Sequence, residues 1–221
     1  RELYGTAAGL VSLTLWCLCP NILGNAALIT PDAGAAAFGV ASGYLFWRWL
    51  SKPQWTRALV AGVALGVVEL TKSTWLVLFA LWPALTVIWI PARRATSRQS
   101  IVQLTTILLV GIYVLNMGYL FEDSFSRLGQ FKFISRAFGG NEAHEEPANR
   151  FRGNWLGAFR VPLPANYVRG IDTQKYDFEV GKWSYLRGEQ KMGGWWFYYV
   201  YALGVKVPAS TLALIALAGD G

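Results

Sequence analysis

The chain has 221 residues, of which 54% are hydrophobic and only 15% are charged, whereas a typical soluble domain carries about 25% charged residues. With a mean hydropathy of +0.33 and two cysteines, this composition excludes a disordered chain, a collagen, a coiled coil and a disulfide-rich secreted module. Residues 122–194 contain 20 of the 33 charged side chains. This uneven distribution predicts that this stretch lies in water and that the rest of the chain lies largely in hydrocarbon.

Five apolar segments precede this polar stretch, and each is predicted to be a transmembrane helix. A spanning helix needs about 20 mostly apolar residues. The predicted helices cover residues 5–24, 33–50, 56–71, 74–91 and 101–121. The third is rich in Gly and Ala, which favours close helix packing in a membrane. A soluble helical core is rejected because five such segments would leave almost no polar surface.

Lys and Arg residues predict which side each connection faces. Residues 47–57 and 91–98 each carry three basic side chains and no acidic one, so both connections are predicted to be cytoplasmic. Residues 20–32, 69–73 and 122–194 then face the other side. The net charge of +7 mostly reflects this bias, and no basic stripe with stacking aromatics indicates a nucleic-acid partner.

The stretch 122–194 is hydrophilic but rich in aromatic side chains, which predicts a mixed, partly ordered loop domain. Pro162 and Pro164 favour an extended segment that turns near residues 166–170. The only histidine, His144, lies among three glutamates, and a solvated acidic turn is preferred there over a weak metal site. The fold class is therefore an all-α polytopic membrane protein of five to six spans with an extra loop domain.

Residues 195–221 form the last apolar segment, which Lys206 interrupts. Because proline suits the first turn of a helix, an interfacial aromatic segment should end near Lys206 and a last span should start near Pro208. A single helix over 195–218 is the alternative. Trp195, Trp196 and Tyr198 are either an interfacial belt or a platform that contacts sugar or isoprenoid.

Ionisable residues at the edge of a span are functional candidates. Asp32 opens the second helix, where its carboxylate either complements the helix dipole or faces a metal, a cation or a sugar hydroxyl. Glu69 and Lys72 flank the break after the third helix, and their spacing would let them pair on a helix. Alternatively, Lys72 offers its charge to a lipid phosphate. The predicted topology places Asp32 and Lys72 on the same membrane face.

Several short motifs occur in a familiar order. They are PNILGNA at 20–26, TPD at 30–32, ELTKST at 69–74, YLRG at 185–188, GWWFYY at 194–199 and KVP at 206–208. This order resembles bacterial membrane glycosyltransferases of the dolichyl-phosphate-mannose–protein mannosyltransferase family. That family is glycosyltransferase family 39, of the GT-C superfamily, and the lipid A aminoarabinose transferases are related to it.

The resemblance implies an inverting transferase that moves a sugar from a polyprenyl-phosphate donor to a protein or lipid hydroxyl. It implies a multi-pass protein of the cell inner membrane with loop 122–194 extracytoplasmic. In this family the main catalytic carboxylate lies in the first external loop, so it is expected upstream of Arg1. The chain is thus expected to be a fragment that also lacks C-terminal helices and is inactive alone.

Residue roles follow from the same resemblance. Asp32 matches a second acidic position that supports the site or helps to hold a divalent metal. Lys72 matches a basic position near the lipid phosphate, and Glu69, Trp195, Trp196, Tyr198 and Lys206 complete the predicted substrate-binding set. Asn25 belongs to that set too, but it stands where bacterial members often have histidine.

Two other functions compete with the transferase. In a secondary transporter, intramembrane Asp and Lys residues mark a substrate path. The 73-residue loop and the lack of a visible inverted repeat argue against it. A structural membrane protein without chemistry would explain the spans but not the ionisable residues gathered on one face.

Overall fold

The computed structural model describes residues 4–28, 31–93, 97–141 and 146–219. The chain divides into two compact units, a central unit of Gly34–Val180 and a terminal unit that joins Arg1–Ala33 with Gly181–Gly221. Most of the described residues are helical, as predicted. His144 lies outside the described residues, so the acidic turn proposed there stays a prediction.

Four long helices lie close to the predicted segments of the central region. They are α3 (Asp32–Ser51), α4 (Trp55–Thr71), α5 (Leu78–Arg93) and α6 (Ser97–Gly118). Two differences from the prediction stand out. A 3₁₀ turn at Ser73–Val77 precedes α5, and α6 starts earlier than residue 101 and ends before residue 121.

Length and composition identify one helix of the described chain, α6 at Arg98–Gly118, that can cross a bilayer by itself. The number rises to three if two bent helix pairs each count as one span. The apolar segment Ser73–Trp89 is shorter. These criteria therefore support one to three spans, fewer than the five to six predicted from the sequence.

The close approach of α4 and α6 confirms the packing predicted for the Gly- and Ala-rich segment. A Cβ atom on Gly62 would lie 2.8 Å from Val110 Cβ, and one on Gly66 would lie 2.4 Å from Val114 Cβ. Only glycine fits at both positions. The surrounding core is formed by buried apolar side chains: Phe46, Trp49, Ala58, Ala61, Leu65, Val68, Leu78, Trp82 and Ile107.

The rest of the central unit is α7 (Arg136–Gly139), α8 (Ala165–Val180) and irregular chain around a small core. The turn predicted near residues 166–170 is wrong, because these residues belong to α8, which begins directly after Pro164. Two carboxylates of α8 explain its placement. Asp172 accepts hydrogen bonds from the backbone N–H groups of Ile134 and Ser135, and Glu179 accepts from those of residues 136 and 137 at the start of α7. Because these partners are distant along the chain, the spacing of residues within this segment does not predict them.

The terminal unit contains α1 (Gly5–Cys17) and α2 (Pro20–Ala26), followed after the central unit by a hairpin and two more helices. One helix over 5–24 is wrong, since the axis bends by 54° at Pro20. Proline lacks the N–H that would continue the helix, but it suits the first position of the next one.

The second half of this unit shows the predicted helix break. Helix α9 (Tyr198–Lys206) ends before Pro208 and α10 (Ala209–Gly219) begins after it, with a bend of 101°. The alternative of a single helix over 195–218 is therefore wrong. The hairpin pairs β1 (Trp183–Leu186) with β2 (Glu189–Met192). Its two-residue turn, Arg187 and Gly188, has φ angles of 55° and 90°, as a type I′ turn requires.

Candidate functional site

The C-terminal end of α4 carries a buried acidic side chain. Glu69 follows Leu65 by four residues, so both lie on the face of α4 that is turned to the core. Glu69 is only 2% exposed. Burying a carboxyl group costs free energy unless a partner replaces its water. The partner of Glu69 therefore identifies the element that packs against the end of α4.

The partner is Tyr167 in the first turns of α8. Its hydroxyl donates a hydrogen bond of 2.7 Å to Glu69 Oε2, and its side chain is also buried. Burial and, next, the hydrogen bond to Glu69 raise the pKa of Tyr167 above its ordinary value. The hydroxyl therefore keeps its proton and stays a donor. The ring of Tyr119 meets that of Tyr167 edge-on at 6.2 Å.

The second carboxyl oxygen of Glu69 differs from the first in lacking a hydrogen-bond partner among the described residues. Oε1 is buried and accepts no hydrogen bond from any residue that the structure describes. Buried polar atoms in native proteins nearly always have a partner, so an exception calls for a cause. A hydroxyl group of a bound ligand would supply the missing donor.

Lys72 lies just outside the helix. Helix α4 ends at Thr71, and Lys72 has an extended backbone with φ −162° and ψ 129°. The helical i,i+3 pairing of Glu69 with Lys72 is thus wrong, because only one of the two is on the helix. The Lys72 carbonyl accepts a hydrogen bond from the Trp75 N–H, and the residue is half-buried.

The segment after Lys72 is tied to α8. Ser73 Oγ donates a hydrogen bond of 2.9 Å to Gln174 Oε1. Tyr167 and Gln174 are seven residues apart and so share one face of α8. We call the group Glu69, Lys72, Ser73, Tyr167 and Gln174 the α4–α8 junction. Along the chain, Lys72 lies between Glu69, which is bonded to Tyr167, and Ser73, which is bonded to Gln174.

The remaining predicted site residues belong to the terminal unit or to its boundary. Asp32 is the first residue of α3 and is exposed. Asn25 is exposed, and its side-chain amide donates to the Asn21 carbonyl at 2.8 Å within α2. Glu69 and Lys72 lie at the end of α4 in the central unit, whereas Asn25 and Asp32 belong to the terminal unit.

The aromatic candidates precede α9 or lie in its first turn. Trp196 is 93% exposed, whereas Trp195 and Tyr198 are half-buried. Lys206 ends α9 with an exposed side chain, and its carbonyl accepts a hydrogen bond from the Asn21 amide. Their roles in binding sugar or isoprenoid stay predictions.

The described side chains do not by themselves build a divalent-metal site. No three His, Cys, Asp or Glu side chains group as metal ligands within the described residues. A metal held by Asp32 would need ligands from elsewhere.

Sequence reasoning missed Tyr167, Gln174 and Tyr119. Tyr167 lies at 166–170, where the sequence predicts a turn, and this prediction hides its helical spacing to Gln174. The available signal was the i, i+4, i+7 spacing of Tyr167, Ile171 and Gln174. It would have indicated a helix packed on another element, although not which element.

Comparison with known proteins concerns the first half of the chain. The sequence model of the dolichyl-phosphate-mannose-protein mannosyltransferase family matches residues 1–119. The match covers Asn25, Asp32, Glu69 and Lys72 but not Tyr167. No curated protein and no solved structure matched in the other comparisons. Because more than half of the 221 residues match, the chain belongs to the dolichyl-phosphate-mannose-protein mannosyltransferase family.

Proposed function

We propose that the protein transfers a sugar, with inversion, from a polyprenyl-phosphate donor to a protein or lipid hydroxyl at the extracytoplasmic face of the inner membrane. Family membership, which indicates a membrane glycosyltransferase, supports this proposal. The observation that carries this proposal is the α4–α8 junction. It sets a buried carboxyl group with one unpaired oxygen three residues before a half-buried lysine.

The chemistry divides between two charges. The acceptor oxygen attacks the anomeric carbon while the bond from that carbon to the phosphate oxygen breaks, and the polyprenyl phosphate leaves with the electron pair. The acceptor proton goes to a carboxylate base. Lys72 stabilises the charge that develops on the leaving phosphate. The positive character of the sugar ring resembles that in glycoside hydrolysis.

Glu69 has a positioning role in this scheme. Oε2 is held by Tyr167, so Oε1 is fixed in place and can accept a hydrogen bond from a hydroxyl of the sugar or the acceptor. A fixed acceptor of this kind lowers the cost of orienting the substrate. Asp32 stays in the proposal as a supporting carboxylate.

The membrane arrangement is part of the proposal. Five to six spans, cytoplasmic connections at 47–57 and 91–98 and an extracytoplasmic loop at 122–194 agree with the distribution of basic residues. A single cysteine placed at exposed Gly153 in a chain without Cys17 and Cys19 tests the sidedness. A membrane-impermeant maleimide should label it from the extracytoplasmic side, and labelling from the cytoplasmic side alone would reverse the topology.

The enzymatic test uses the full-length protein and a short-chain polyprenyl-phosphate sugar. Lys72→Ala and Asp32→Asn should each lower the transfer rate by about 10²–10³-fold, the range for loss of one transition-state contact. The matched controls, Lys132→Ala and Glu189→Gln, alter exposed residues and should keep the normal rate. A near-normal rate for either site variant removes that residue from the site. Absence of transfer by the wild type with every lipid-linked sugar would reject the proposal.

A further inference from the structure

A second polar site lies just beyond the end of α6. A cleft of about 430 Å³ is lined by residues 123–127 together with Gln130 and Arg160. We call it the arginine cleft. It lies outside the part of the chain that matches the family, and none of its residues belongs to the α4–α8 junction.

Backbone pairing forces the two arginines together. Arg127 and Arg160 form an antiparallel bridge. The flanking hydrogen bonds run from the Leu128 N–H to the Phe159 carbonyl and from the Val161 N–H to the Ser126 carbonyl. This pattern makes the arginines a non-hydrogen-bonded pair, the kind whose side chains lie closest. Like charges directly opposite each other are destabilising.

Nothing in the described chain neutralises the pair. Neither arginine makes an ion pair with any described residue, and Asp123, the one carboxylate of the cleft, makes none with them. Gln130 Oε1 already accepts the Arg127 N–H, which leaves the Gln130 amide group as a further donor. The cleft therefore offers two cations and an amide donor against a single acid, and this set suits a phosphate group.

The position of the cleft indicates where that phosphate comes from. Helix α6, which can cross a bilayer alone, ends at Gly118. Leu120, Phe121 and Phe125 follow and are 87%, 44% and 50% exposed, although all three are apolar. In a membrane protein such side chains contact lipid at the end of a span, which places the neighbouring arginines at headgroup depth.

The segment is held in an unfavourable backbone conformation. Leu120, Phe121, Asp123 and Phe125 have φ angles between 48° and 63°, a left-handed region that non-glycine residues rarely adopt. Buried Asn116 pins the turn, since its carbonyl accepts the Phe121 N–H. This hydrogen bond ties the turn to the end of α6.

We propose that Arg127 and Arg160 together bind the phosphate of an anionic lipid headgroup at the end of α6. One phosphate between the two guanidinium groups removes their repulsion and anchors this turn to the bilayer surface. The proposal does not rest on the transfer reaction, and it is tested without measuring activity.

The test is thermal unfolding of the full-length protein in an uncharged detergent. Phosphatidylglycerol or phosphatidylcholine with the same acyl chains is added, so that only the headgroup differs. Phosphatidylglycerol should raise the wild-type Tm by at least about 3 °C more than phosphatidylcholine does. The double variant R127Q/R160Q should lose this difference, whereas K132Q, which removes an exposed charge nearby, should keep it.

If the two arginines had only a structural role, the double variant would be less stable than the wild type in the absence of lipid. Without lipid, the double variant should be at least as stable as the wild type, because the like-charge repulsion is gone. If it fails to fold, the single variant R160Q should still show at least about tenfold weaker apparent affinity for phosphatidylglycerol.

Three outcomes would overturn the assignment. The wild type could show no headgroup preference, or the arginine variants could retain it. Inorganic phosphate or an acidic peptide could raise the Tm as much as phosphatidylglycerol does, which would make the ligand a soluble anion.

Discussion

Helix α4 has two neighbours of opposite character. Along its length it packs on α6 through glycine and aliphatic side chains, with Gly62 and Gly66 meeting valine side chains. At its C-terminal end it meets α8 through polar contacts, the hydrogen bond from Tyr167 to Glu69 and, just beyond, that from Ser73 to Gln174.

The α6 interface fits a role in stability, whereas the α4–α8 junction fits a role in function. The interface with α6 has close shape complementarity and no charge, which is the pattern expected for holding helices together in lipid. The α4–α8 junction buries a carboxyl group and leaves one of its oxygens unpaired, which stability alone would not favour. A site that departs from good local design in this way is a functional candidate.

The largest loss of stability is expected when methyl groups are added to the glycine interface between α4 and α6. Gly62→Ala together with Gly66→Ala should lower the free energy of unfolding by about 2–6 kcal/mol, since each added methyl group meets a neighbouring helix. The control pair, Gly34→Ala with Gly43→Ala, adds the same methyl groups to α3 where nothing lies within 4 Å. It should stabilise by about 1–2 kcal/mol. Chemical unfolding in detergent measures both, and equal losses would contradict the packing argument.

Removing the Tyr167 hydroxyl group breaks the hydrogen bond to Glu69 in the α4–α8 junction. Tyr167→Phe should cost about 1–3 kcal/mol because Glu69 stays buried without a donor. Adding Glu69→Leu should recover most of that loss, since replacing both partners of a buried hydrogen bond is nearly neutral. Tyr185→Phe, at a 63% exposed tyrosine, is the control and should change stability by less than about 0.5 kcal/mol. Additive losses in the double variant would show that the pair is not coupled.

The Tyr167 hydroxyl group predicts that the stability of the protein depends on pH in the alkaline range. The folded-state pKa of Tyr167 is raised, chiefly by burial, above the ordinary value of about 10. Above that pH the unfolded chain loses the proton and the folded protein keeps it, so the contribution of Tyr167 falls by up to about 1.4 kcal/mol per pH unit. The stability difference between the wild type and Tyr167→Phe should therefore shrink as the pH rises above 10. A difference that stays constant at higher pH would contradict the raised pKa.

The smallest effect belongs to the second contact of the junction. Ser73→Ala should cost about 0.5–1.5 kcal/mol, the net value of one hydrogen bond. It should also speed amide hydrogen exchange in α8. Thr173→Ala is the control in the same helix, because that hydroxyl bonds only to the Arg169 carbonyl within α8. Faster exchange in the control but not in Ser73→Ala would reject the contact.

Local patterns predicted the helices of this chain well. Apolar run length located α3 and α4 almost to the residue, and the Gly-rich pattern of α4 predicted its close packing. Pro208 marked the last helix break, although the equivalent meaning of Pro20 went unnoticed. These features depend on residues within a few positions of one another, which a sequence displays directly.

The polar contacts could not be predicted in the same way. Tyr167 and Glu69 are 98 residues apart, and Ser73 and Gln174 are 101 apart. Spacing shows that Glu69 lies near a helix end but not that it is buried, so pairing with the adjacent Lys72 was the natural expectation. The bridge between Arg127 and Arg160 is equally invisible in one sequence.

The division of the chain has a consequence for biosynthesis. The terminal unit joins two segments that are separated by the whole of Gly34–Val180. The central unit can thus fold while the ribosome is still making the residues after 181, in keeping with the early folding of completed domains. The terminal unit must wait, because the Lys206 carbonyl that receives the Asn21 side chain is made 185 residues later. During this interval the Asn21 amide of α2 lacks that acceptor.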